Sequence, residues 1–131
     1  IPRIARRPES REEAIANAAA RIAEDLGARA IVAFTETGST ARRMASHRHG
    51  TPLLAFTSRP ETRSQLALQW GVETFVVPRM AHTDEMIAQV DRALLELGRA
   101  EKGELVVIVA GTPPGTAGST NTLRVHRLAA S

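Results

Sequence analysis

The sequence predicts a single α/β domain, a three-layer sandwich in which a five-stranded, mostly parallel sheet carries helices on both faces. Short apolar segments rich in β-branched residues alternate with helical patterns of roughly a dozen residues, a spacing typical of parallel strands joined by right-handed crossovers. The chain has 131 residues, of which 43% are hydrophobic and 24% charged, as expected for one globular domain.

The chain is predicted to begin with a tether. Residues 1–9 contain two prolines and show no periodicity, so we expect them to connect the domain, residues 10–131, to an upstream domain.

The first helix is predicted over residues 10–26. Ser10 and Glu13 have the spacing of a capping box, apolar residues then recur at helical intervals, and Gly27 ends the pattern. The apolar run at 30–34 that follows is typical of a strand buried on both faces.

The remaining elements continue this alternation. Ser58 and Glu61 have the spacing of a second capping box, and Thr83 is predicted to cap a later helix that ends at Gly98. Helices are predicted at 39–47, 59–70 and 84–97, and strands at 53–57, 74–77, 105–110 and 122–128.

The fifth strand is expected to be an antiparallel edge strand beside the fourth. Only residues 111–121 separate the two, and their prolines and glycines leave no room for a crossover helix. Its charged and polar residues are expected to protect this edge from aggregation; these are Arg124, His126 and Arg127. Alternatively, the edge pairs with a second copy of the chain.

The composition argues against several classes of partner. The pI near 10.9 mostly reflects sixteen arginines against one lysine, but the net charge is only +3 and aromatic residues make up 3%, so we expect no nucleic acid. The longest apolar run, 105–110, is too short to span a bilayer, so we expect no membrane. The absence of cysteine fits a cytoplasmic location.

A loop rich in hydroxyl groups follows the first strand. Residues 35–40 (TETGST) contain four hydroxyl side chains and one glycine, and they open a helix, where anions are favoured. The loop therefore predicts a phosphate site, with the alternative that the hydroxyls only cap the helix and complete the turn.

A second loop, residues 111–121, follows the fourth strand. Its length is more typical of functional loops than of short connections, although a plain surface turn remains an alternative. If the first and fourth strands are neighbours, the two loops face each other across the point where the winding reverses.

Catalytic and metal sites are not indicated. The sequence has neither a nucleotide P-loop nor a G-x-S-x-G motif. His47 and His49 have no nearby carboxylate or cysteine to complete a metal site. Glu36 beside Ser39 is the only pairing that an independent small enzyme could use, and a carboxylate seldom activates serine.

The chain resembles the C-terminal domain of pyruvate kinases from about residue 10 onward. The most specific features are the T-E-T-G-x-T turn after the first strand and the block that joins the fourth strand to the TNTxRV sequence. The matching segments are 30–43 (AIVAFTETGSTARR), 51–59 (TPLLAFTSR), 71–77, 103–111 and 121–125.

The resemblance implies an effector-binding and tetramer-forming domain that is inert alone. Catalysis of phosphoryl transfer from phosphoenolpyruvate to ADP, with the magnesium and potassium sites, would belong to a barrel domain upstream, so no cofactor is expected here. The last strand, 122–128, would pair copies of the domain. The implied effector phosphate site comprises Thr35, Glu36, Thr37, Gly38, Ser39 and Thr40, and the implied lid comprises Thr112, Gly115, Thr116, Gly118 and Ser119.

Two departures from the family pattern bear on the effector. Members activated by fructose 1,6-bisphosphate often have lysine where Glu36 stands, and a carboxylate there repels a second phosphate. No residue clearly matches the tryptophan and arginine that hold the other end of that ligand. We therefore favour AMP or a sugar monophosphate as effector, with an unused site as the alternative.

A different class of function also fits the fold. The chain could be a free-standing small-molecule-binding or interaction module that is never joined to a kinase. A barrel-coding sequence upstream of Ile1 would decide for the kinase domain and against such a module.

Overall fold

The computed structural model describes residues 11–35, 38–46, 50–67, 72–78, 83–110 and 122–128. The predicted tether and the Ser10 cap lie outside these ranges. The described elements are α1 (Arg11–Leu26), β1 (Ala30–Phe34), α2 (Ser39–Ala45), β2 (Leu53–Thr57), α3 (Pro60–Leu66), β3 (Val72–Val76), α4 (Thr83–Glu96), β4 (Leu105–Ala110) and β5 (Thr122–Arg127).

The strands form one five-stranded sheet in the order β3-β2-β1-β4-β5. All neighbouring strands are parallel except β4 and β5, which are antiparallel. Both the mostly parallel sheet and its antiparallel edge strand are therefore confirmed. The 111–121 connection is too short for a crossover that would return a parallel strand, which accounts for the direction of β5.

Helices cover both faces of the sheet, as predicted. On one face, Ile31 packs against alanines of α1 and against α2, and Leu66 of α3 lies on Ala55 of β2. On the other face, Val32 packs against Val90 and Leu94 of α4. The chain winds from β1 outward to β3 through α2 and α3, then reverses through α4, and right-handed crossovers in opposite directions place helices on opposite faces.

The start of the third helix differs from the prediction. The residue before α3 is Arg59, which makes no side-chain capping bond, and Pro60 occupies the first turn. Proline has the helical φ already and has no amide hydrogen to satisfy, so it starts the helix one residue later than the Ser58 prediction. The Arg59 amide donates instead to Thr57 Oγ1 at 3.1 Å.

Several element boundaries differ from the prediction. The second helix ends at Ala45 and the third at Leu66, earlier than predicted, while β3 runs over Val72–Val76 instead of 74–77. Pairing with β2 decides the limits of β3, because Leu53 pairs with Val72 and Thr57 with Val76. Its position at the sheet edge leaves Glu73 exposed, which explains why a polar residue is tolerated inside the strand.

Within the part of the chain that the structure describes, no helix is long and apolar enough to cross a membrane.

Candidate functional site

The carboxyl ends of β1 and β4 lie side by side. Ala33 pairs with Val109, so both strands end at the same edge of the sheet. The winding direction reverses between these two strands. Ala110 pairs with Thr122, so the residues on either side of 111–121 lie at this edge as well. The predicted switch point, where open α/β sheets bind ligands, is therefore present.

The loop after β1 is fastened by Thr35. Its amide donates to the carbonyl of Phe56 at 2.9 Å, which extends the pairing with β2, and its Oγ1 accepts the Gly38 amide at 2.8 Å. Both Thr35 and Thr40 are buried. The Gly38 amide, predicted as a phosphate donor, is thus already used by a hydroxyl group of the same loop.

Gly38 precedes α2 with a left-handed backbone, φ 91° and ψ −6°, and as a glycine it offers no side chain to cap the helix. The Arg42 amide donates to the Gly38 carbonyl at 3.0 Å, which is the first main-chain hydrogen bond of the helix. The first amides of an α-helix have no acceptor within the helix and point outward along its axis. The start of α2 therefore presents main-chain donors at the carboxyl edge of the sheet.

The side chain of Arg42 lies over Gly38. A Cβ atom built on Gly38 would be 3.0 Å from Arg42 Nη1 and 3.2 Å from its Cζ, closer than ordinary contact. A guanidinium group is thereby placed beside the candidate phosphate loop. Sequence reasoning missed this residue, although residues four apart on a helix share a face, and that spacing from Gly38 was available as a signal.

The structure describes only part of the predicted site. Thr35 and Gly38 are hydrogen-bonded at the edge, Arg42 lies over Gly38, and Thr40 is buried in the first turn of α2. The remaining predicted residues, which stay predictions because they or their side chains lie outside the described residues, are Glu36, Thr37, Ser39, Thr112, Gly115, Thr116, Gly118 and Ser119.

A separate cleft of about 570 Å³ lies at the opposite, amino edge of the sheet, between the ends of α1 and α4. Glu24, Arg29 and Arg99 line it, together with glycines and apolar residues. Arg29 pairs with Glu104 at 3.3 Å, and both terminal nitrogens of Arg99 bond to Glu73. We place the candidate site at the carboxyl edge instead, since ligands of open α/β sheets bind there.

Among the described residues, no three histidine, aspartate or glutamate side chains are close enough together to hold a metal ion.

The outer strand β5 presents a mixed surface. Arg124 and Val125 are exposed, and Val125 retains 40% of its accessible area. His126 instead turns toward α4, where its Nε2 lies 2.8 Å from Oδ1 of Asp91. Arg127 donates to the carbonyl of Gly103 at 2.7 Å. Two of the three residues predicted to protect the edge are thus bonded within the domain.

Comparison with protein families gives a match over almost the whole chain. The model described as "Pyruvate kinase, alpha/beta domain" matches residues 13–126. A pyruvate kinase of Mycobacterium tuberculosis is 58% identical over 121 residues, covering 92% of this chain and 26% of the relative. That of Corynebacterium efficiens is 47% identical over 128 residues, covering 98% and 27%. The chain thus spans about a quarter of the length of these relatives.

Solved structures show the same similarity. Cryptosporidium parvum pyruvate kinase in complex with ADP superposes with a TM-score of 0.83 at 31% identity, covering 94% of this chain and 25% of that one. A second crystal structure of pyruvate kinase from that organism gives a TM-score of 0.79 at 28% identity, covering 94% and 23%.

Proposed function

Because the chain belongs to the pyruvate kinase family, as its C-terminal α/β domain, we propose that it is the regulatory and oligomerisation domain of a cytoplasmic pyruvate kinase. In this proposal, an upstream barrel transfers the phosphoryl group from phosphoenolpyruvate to ADP and holds the magnesium and potassium ions. This domain contributes no catalytic residue. Its role is to bind a phosphorylated effector and to join subunits.

The meeting of β1 and β4 at one edge is the observation that supports effector binding. It brings Thr35 and Gly38, the first turn of α2 and the residues that flank 111–121, Ala110 and Thr122, to one edge. Main-chain amides and hydroxyl groups suit phosphate oxygens, and no catalytic base is needed for binding. Thr112, Gly115, Thr116, Gly118 and Ser119 would then close over the ligand.

The Gly38 amide sets a condition on this binding. It donates to Thr35 Oγ1, so a phosphate either displaces that hydroxyl or uses the amides that follow Gly38 in the first turn of α2. In both cases the Arg42 guanidinium over Gly38 supplies the positive charge. A charge-assisted hydrogen bond of this kind is worth about 1.5–3 kcal/mol.

The charges near the loop favour a ligand with one phosphate group. Arg42 is the cation that the structure places over Gly38, whereas Glu36 stands two residues before Gly38 in the sequence and carries a negative charge. Two unit charges of like sign at 4 Å repel by about 4 kcal/mol near a protein surface. AMP or a sugar monophosphate is therefore favoured over fructose 1,6-bisphosphate.

Thermal denaturation with a ligand panel tests effector binding. We expect AMP or glucose 6-phosphate at 100 times its Kd to stabilise the chain by about 2.7 kcal/mol, on the order of 10 °C in Tm at this size. Arg42→Gln should weaken binding about tenfold or more, while Arg63→Gln, a matched loss of an exposed arginine on α3, should not. Selective stabilisation by the bisphosphate would contradict the monophosphate assignment.

The β5 edge supports the second half of the proposal. An outermost strand offers unpaired main-chain groups to another strand, and a second copy provides the same edge in antiparallel orientation. Exposed Val125 adds an apolar contact on this strand. The proposed interface comprises residues 122–128.

A further inference from the structure

We draw no further inference here: the strongest candidate, the cleft of about 570 Å³ between the ends of α1 and α4 at the amino edge of the sheet, favours no class of ligand because Arg29 and Arg99 on its rim are paired with Glu104 and Glu73, and nothing in the described residues shows what covers it.

Discussion

Replacing Gly38 with alanine tests both the backbone and the electrostatics of the candidate phosphate loop. The residue has φ 91°, a conformation that L-residues with a Cβ adopt at a cost of about 1–2 kcal/mol. The new Cβ would also lie 3.0 Å from Arg42 Nη1. Because the arginine end is exposed, it can move away from the new Cβ, but it then leaves its position over the loop.

The expected result therefore has two parts. Gly38→Ala should lower the free energy of unfolding by about 1–2 kcal/mol, measured by urea denaturation of the purified chain. It should also weaken binding of AMP by about tenfold or more, measured by calorimetry, since one charge-assisted hydrogen bond is lost or misplaced.

Gly50 provides a matched control. It also has a positive φ, 104°, but a Cβ there would meet nothing within 4 Å. Gly50→Ala should therefore lower stability by a similar amount and leave AMP affinity unchanged. The double variant Gly38→Ala with Arg42→Ala should bind no more weakly than Arg42→Ala alone, because both act through the same guanidinium group.

Two results would refute this reasoning. If Gly38→Ala and Gly50→Ala weaken AMP binding equally, the position of Arg42 over the loop is irrelevant to the ligand. If Gly38→Ala leaves the unfolding free energy unchanged within about 0.5 kcal/mol, the left-handed backbone at this position does not constrain the loop.

Three further predictions concern packing and assembly. Leu94→Ala should lower the free energy of unfolding by about 2–5 kcal/mol, because it leaves a cavity in the core beneath α4. Leu97→Ala, at a side chain that is 45% exposed, should change that free energy by no more than about 0.5 kcal/mol. Equal losses in chemical denaturation would contradict the packing described for α4. A double-mutant cycle of His126→Ala and Asp91→Ala should give a coupling energy of about 1 kcal/mol, and additive losses would mean that their 2.8 Å contact contributes nothing. Val125→Lys should convert the proposed oligomer to a monomer in light scattering with the melting temperature retained, because each copy would bring an added positive charge to the paired edges in place of an apolar contact. An unchanged mass would exclude β5 as the interface.

Most of the fold was accessible from local patterns. Buried strands such as 30–34 and 105–110 are apolar throughout because both faces are covered, and helical periodicity reveals α1 and α4. The direction of β5 followed from the length of the 111–121 connection and from its prolines and glycines. Local signals failed at the start of α3, where Pro60 begins the helix one residue later than the Ser58 pattern predicts.

The candidate site was only partly accessible in the same way. Residue chemistry singled out the 35–40 loop, and the winding rule placed it opposite the loop after β4. The use of the Gly38 amide by Thr35 and the position of Arg42 over Gly38 depend on the directions of side chains around one turn of chain. The spacing of four residues indicates a shared helix face for Gly38 and Arg42, but it does not determine those directions.

The sequence by itself determined the order of helices and strands, their burial and the chemistry available at the carboxyl edge, because these follow from periodicity and residue type within short windows. The tertiary structure alone decided which distant groups meet. The side chain of His126 contacts that of Asp91, 35 residues away in sequence, and the side chain of Glu73 contacts that of Arg99, 26 residues away. Such pairs depend on the strand register and on the way α4 packs, which arise from burial summed over the whole core.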